Sequence, residues 1–156
     1  MPDIYTDDWY AAVQSAINSK LASLKDVPDG TWTARIEIVG DGTSPYVDGE
    51  RHFLVRIESG QCPWYREVQP GDDHGHAGDL DYRFRGPATV FDEIAAGARD
   101  PIDAALRGDV KVRGDMRFLM RQAELVNKVL EAYATDVQTS WPAGEPPYVK
   151  AEAVNA

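Results

Sequence analysis

The stretch DLDYRFRGPATVFDEIAAGARDPIDAALRGDVKVRGDMRFLMRQAELV, residues 79–126, decides the fold. It opens on strict alternation, with Leu80, Tyr82 and Phe84 set against Asp79, Asp81, Arg83 and Arg85. That period of two belongs to a strand with one buried face. Pro87 suits the first position of a short helix that buries Val90, Phe91 and Ile94, and Gly97 supplies its stop. Asp100-Pro101 starts a second short helix with Ile102, Ala105 and Leu106 as its apolar side and Gly108 as its end. Val110 and Val112 then alternate with Asp109, Lys111 and Arg113 as another strand. One long helix is expected from residue 116 to 135, with Arg117, Arg121, Glu124, Lys128 and Glu131 as its polar stripe. Its remaining large residues, among them Phe118, Leu119, Leu125, Val129 and Tyr133, are apolar, a wider surface than one sheet face usually covers.

Upstream, Thr6 caps a helix whose Trp9, Val13, Ile17, Leu21 and Leu24 recur at spacings of four and three. Pro28-Asp29-Gly30 forces a turn. Trp32, Ala34, Ile36 and Ile38 alternate with Thr33, Arg35 and Glu37, and Phe53, Val55 and Ile57 with His52, Arg56 and Glu58. Ser59-Gly60 turns the second strand into a hairpin partner near Trp64–Val68, where Pro63 indicates an edge or a bulge. The chain therefore divides into a domain over residues 1–138 and a tail, 139–156, whose Trp141 and Tyr148 can pack back.

The order of elements and the punctuation of residues 79–133 resemble the sterol-carrier-protein family. Gly97, Asp100, Pro101, Ala105, Gly108, Lys111, Val112, Gly114 and Asp115 carry the match. The resemblance implies an α+β fold: a five-stranded, mainly antiparallel sheet, helices covering one face, and an apolar tunnel between them. It also implies a carrier of a sterol, fatty acid, acyl-CoA or similar lipid, with no catalytic residues. The inward faces would line such a tunnel: Trp32, Ile36, Phe53, Val55, Tyr82 and Phe84 from the sheet. The short helices would add Val90, Phe91, Ile94, Ile102 and Leu106, and the last helix Leu119, Leu125, Val129 and Tyr133. Each of these residue types at this spacing is also ordinary core. Arg117 and Arg121 are the candidate partners of an anionic head group, the alternative being a solvated helix face.

Composition bounds the rest. The net charge is −10 over 156 residues, which argues against a nucleic-acid partner, since phosphates need a basic surface. It argues equally against electrostatic docking of the whole molecule on an anionic membrane. No apolar run approaches the ~20 residues of a membrane span, and the acidic N-terminus is unlike a secretion signal. A cytoplasmic protein is expected, and a single cysteine, Cys62, rules out an internal disulfide. No phosphate-cradling Gly-rich loop and no nucleophile elbow occurs, so no cofactor is expected.

His74, His76 and Asp79 share one loop and could meet a metal ion, but a site needs further ligands and second-shell support, so no metal is expected. A metal-dependent hydrolase therefore ranks last. The stronger alternative to a carrier is a small accessory subunit of an enzyme complex that handles lipids or other hydrophobic metabolites, its groove filled by a partner segment or by its own tail. A homodimer or an enzyme partner stays open.

Overall fold

The computed structural model describes residues 1–24, 30–70 and 81–148, apart from the side chains of Trp64, Ala123, Val126, Leu130, Tyr133 and Ala134. Leu80 and the loop bearing His74, His76 and Asp79 lie outside the described residues.

Thr6 caps helix α1 (Asp7–Ala22), its hydroxyl accepting from the Trp9 amide at 3.3 Å. The spacing read in the sequence buries Trp9, Val13, Ile17 and Leu21, and Tyr10 beside them. Strands β1 (Thr31–Val39), β2 (Glu50–Glu58) and β3 (Gln61–Val68) form an antiparallel meander. Ser59 and Gly60 join β2 to β3 with φ of 49° and 78°, a two-residue turn whose handedness follows the twist of the strands. Pro63 is tolerated because β3 is an edge strand.

From β3 the chain crosses to the far side of β1, so β4 (Tyr82–Pro87) pairs with β1 in parallel. The sheet is thus mixed, with its other three pairings antiparallel, in the order β3-β2-β1-β4-β5. β1 is its centre. Helix α2 (Ala88–Ala95) follows β4 directly. Asp100 caps α3 (Pro101–Leu106) by accepting from the Ile102 amide at 2.9 Å, and β5 (Lys111–Gly114) closes the sheet against β4. Gly114 has φ +138°, and a Cβ there would meet the Tyr82 ring and the Asp81 carbonyl, so the end of β5 admits nothing larger.

The single long helix expected after residue 116 is broken. α4 (Met116–Arg121), capped by Asp115, stops at Gln122, whose ψ of 34° leaves the helical range. α5 (Ala123–Glu131) starts anew and ends in a π-turn, Ala132–Asp136. The break serves two partners. Phe118 on α4 packs against Trp32 of the sheet, ring centres 5.0 Å apart, whereas α5 packs on α1.

The tail packs back on the N-terminus. Ile4 donates to the Ser140 carbonyl at 3.1 Å, Ser140 to the Pro2 carbonyl at 2.8 Å, and the Trp9 indole to the Thr139 hydroxyl at 2.9 Å. Trp141 meets Tyr46 edge-on at 5.7 Å.

Candidate functional site

Register places the apolar strand residues in two rows across one face. One row runs Tyr65, Val55, Ala34, Tyr82 and the other Phe53, Ile36, Phe84, Val112. All six sheet residues expected to line a tunnel therefore share the helix-facing side. The two halves of that face differ.

The β2–β3 half is solid. Tyr5 stacks on Phe53 at 5.7 Å, Tyr10 leans on Phe53 at 5.1 Å and stacks on Tyr65 at 6.0 Å, and Trp9 stands edge-on to Tyr5 at 5.5 Å. The void left between Tyr5, Trp9, Ile36, Phe53 and Phe91 is about 20 Å³, room for a water molecule and no more. Tyr5, Trp9, Tyr10 and Tyr65 fill the space that the sequence assigned to a guest. Trp9 was legible as a core residue, but nothing in a helical stripe announces that its neighbours on the chain, Tyr5 and Tyr10, turn inward as well.

The other half is incompletely covered. On central strand β1 the helix-facing Trp32, Ala34 and Ile36 are only half-buried, Ile38 beyond them is buried, and the opposite-facing Thr33, Arg35 and Glu37 are 1%, 3% and 6% exposed. An ordinary two-layer core does the reverse, since the middle strand under helices is where water is best excluded. Phe84, Val112, Phe118 and Leu119 around it are half-buried too, as are Val55, Phe91 and Val129, which pack against the buried core of the solid half, whereas Phe53, Tyr82, Val90, Ile94 and Leu125 are buried. These half-buried residues make an apolar strip on the helix-facing side of β1, β4 and β5, where Phe118 of α4 packs on Trp32. Ile102 is half-buried on α3. Leu106 is 81% exposed, because six-residue α3 buries Ala104 instead. The Tyr133 side chain lies outside the described residues.

The apolar strip ends at a polar corner beside Tyr82. The Tyr82 hydroxyl donates to the Asp115 carbonyl at 3.1 Å. Burial first, then the charges of Asp115 and Asp81, push the phenol above its ordinary value, against the Arg121 guanidinium, which pulls it down. Arg121 and Arg117 are both exposed.

The opposite face of the sheet carries a charged network. Arg85 grips Glu50 with two hydrogen bonds of 3.1 Å and Glu37 with a third of 3.1 Å. Arg35 donates to His52 Nδ1 at 2.8 Å, and His52 Nε2 donates to Glu50 at 2.7 Å, which fixes the imidazole tautomer. The Arg85 and His52 hydrogen bonds hold the Glu50 carboxyl below its ordinary 4.5. A lowered folded value stabilises the fold above the unfolded value and loses that contribution as pH falls through the folded one. E50Q should therefore lower the melting temperature at neutral pH by about 2–4 °C, roughly 1 kcal/mol. The gap to wild type should close on acidification below 4.5. A gap constant across that range removes Glu50 from the pH response.

Among the described residues no cluster of three His, Cys, Asp or Glu could hold a metal, and no helix is long and apolar enough to cross a membrane. A solution structure from Thermus thermophilus, described as a conserved hypothetical protein, possibly sterol carrier protein, superposes with a TM-score of 0.64 at 14% identity. The match covers 92% of this chain and 96% of that one. A crystal structure of sterol carrier protein 2 superposes with a TM-score of 0.65 at 16% identity, covering 85% of this chain and 98% of that one. Identities this low speak for the fold alone. No curated protein matches the sequence. A family model, the SCP-2 sterol transfer family, matches residues 33–127. Since that match runs from the first fully buried residue of β1 into α5, over more than half of the sequence, the chain belongs to the SCP-2 sterol transfer family.

Proposed function

We propose that this domain binds and carries a hydrophobic molecule in a half-open groove between the β1–β4–β5 half of the sheet and the last helices, without catalysing a reaction on it. The observation that carries this reading is that Trp32, Ala34 and Ile36, on the apolar face of the central strand β1, are less well covered than Thr33, Arg35 and Glu37 on its polar face, although Ile38 at the far end of the apolar face is buried. Apolar surface left accessible under helices costs stability, about 25 cal/mol per Å², and a guest that covers it recovers that loss. Trp32, Ile36, Val55 and Phe84 would form the floor of the site, with Phe91, Leu119 and Val129 as its walls. Tyr82 and Arg121, with Arg117 one turn earlier, would receive a carboxylate or phosphate head group. Fatty acids and acyl-CoA esters suit such a corner better than sterols, whose lone hydroxyl gains little from a guanidinium.

Native mass spectrometry of freshly purified protein should detect a non-covalent lipid. A thermal-shift series should rank a fatty acid or acyl-CoA above a sterol, with about 2.7 kcal/mol of stabilisation at a ligand concentration 100 times Kd. A flat series across all three classes counts against the carrier. Under the accessory-subunit reading, a partner's segment would occupy the same floor, and the purified domain would respond to none of these lipids.

A further inference from the structure

Tyr5 is buried in a backbone state that its side chain disfavours. Its φ of 60° lies in the left-handed region, where a residue with a Cβ stays only because its surroundings impose it. Those surroundings are polar. The Tyr5 hydroxyl donates to buried Asp92 at 2.6 Å, Arg51 lies over the ring at 5.4 Å, and Arg51 donates to the Tyr5 carbonyl at 3.1 Å. The segment bearing Tyr5 is tied to the tail through a parallel bridge between Asp3 and Ser140. The tail is fastened in turn to the rest of the molecule. Thr139 accepts from the Trp9 indole, the Ala143 amide donates to the Tyr46 hydroxyl at 3.0 Å, and Tyr148 donates to the second oxygen of Asp92. Residues 1–6 and 139–148 thus form one strap, which belongs to no helix and to no strand of the sheet.

We infer that Tyr5 is a retractable plug: the strap of the two termini holds its ring in the deep end of the ligand site, and a hydrophobic guest enters by displacing it. Register supplies the geometry. Val112, Phe84, Ile36 and Phe53 make one apolar row across four strands, and the Tyr5 ring stacks on Phe53 at the end of that row, at 5.7 Å. Ile36 and Phe91, half-buried themselves, also line the void of about 20 Å³ beside Tyr5. A guest lying along the row therefore meets the ring first, and withdrawal of the ring joins the void to the apolar strip. Trp9, Tyr10 and Tyr65 cannot leave in this way, because α1 and β3 hold their backbones. Tyr5 can, since water replaces the hydrogen bonds of the strap at small net cost and its backbone relaxes on release. This inference rests on the carrier reading and adds its control: the apparent affinity for a guest scales with the fraction of molecules whose strap is open.

Titration of the full chain with cis-parinaric acid, a fluorescent fatty acid, tests it. Asp3 and Ser140 are bridge partners, a spacing that a disulfide spans, and the one native cysteine, Cys62, is buried. Oxidised D3C/S140C should melt no lower than its reduced form and bind the probe at least tenfold more weakly, with binding restored by reductant. Y148F weakens the closed strap alone, so it should melt below wild type yet bind the probe about fivefold more tightly. A tyrosine that only stabilises the fold would not combine those two effects. Equal binding by the oxidised and reduced forms, or by Y148F and wild type, overturns the plug and leaves the carrier reading standing. Wild type that binds neither this probe nor palmitoyl-CoA nor cholesterol ends the carrier reading, and the plug with it.

Discussion

Replacing Ala34 by phenylalanine should weaken lipid binding by about two orders of magnitude and leave the melting temperature of the ligand-free protein unchanged or raised. Ala34 lies on the central strand between Val55 of β2 and Tyr82 of β4, on the helix-facing side, and is only half-buried. A phenyl ring there occupies the space of about four methylenes of a guest. At ~0.8 kcal/mol for each buried methylene, the loss is roughly 3 kcal/mol, or about two orders of magnitude in Kd. The effect on the empty protein has a sign that separates two structures. In a groove, the ring covers apolar surface that water now reaches and suits a strand by propensity, so the fold gains or holds. In a close-packed core, the same ring overfills the site at a cost of ~1–3 kcal/mol, a fall of about 2–4 °C per kcal/mol for a chain of this length. A34F that melts lower and binds lipid like wild type would sink the groove.

The same residues show what could be read from the sequence and what could not. Alternation assigned Trp32, Ile36, Phe53, Val55, Tyr82 and Phe84 to one face, and register puts them there, because a period of two leaves a strand no other choice once one face is apolar. Asp100-Pro101, Gly97 and Gly108 marked helix ends through local chemistry, a carboxylate that accepts from the Ile102 amide and positive φ values of 75° and 81°. What failed depends on long-range packing. The wide apolar stripe after residue 116 read as one helix, since periodicity does not register that Phe118 and α5 answer to different partners. The solid half of the face was also hidden. Tyr5 lies outside any periodic element, and its place is set by a carboxylate 87 residues away in the chain.

That carboxylate is the basis of the largest stability effect expected. Asp92 on α2 is completely buried and accepts from the Tyr5 hydroxyl on one oxygen and from the Tyr148 hydroxyl on the other, both at 2.6 Å. One residue thus holds the N-terminal segment and the C-terminal tail at once. Burial, and then Asp92 itself, raise both phenols well above 10, so they remain donors at every pH at which the fold persists. In D92A, Tyr5, itself 4% exposed, keeps a buried hydroxyl with no acceptor, and two charge-assisted hydrogen bonds are lost. Such truncation costs about 3–5 kcal/mol, a large part of a domain's ~5–15 kcal/mol, and should lower the melting temperature by roughly 10–15 °C. Y148F should cost only about 1 kcal/mol, because Tyr148 is half-buried and water replaces part of what it loses. If the two tyrosines and Asp92 act as one latch, adding Y148F to D92A should cost almost nothing further, a coupling that a double-mutant cycle reads directly. Full additivity, or D92A melting within a degree or two of wild type, would mean that the aromatic half of the interior holds itself closed without Asp92.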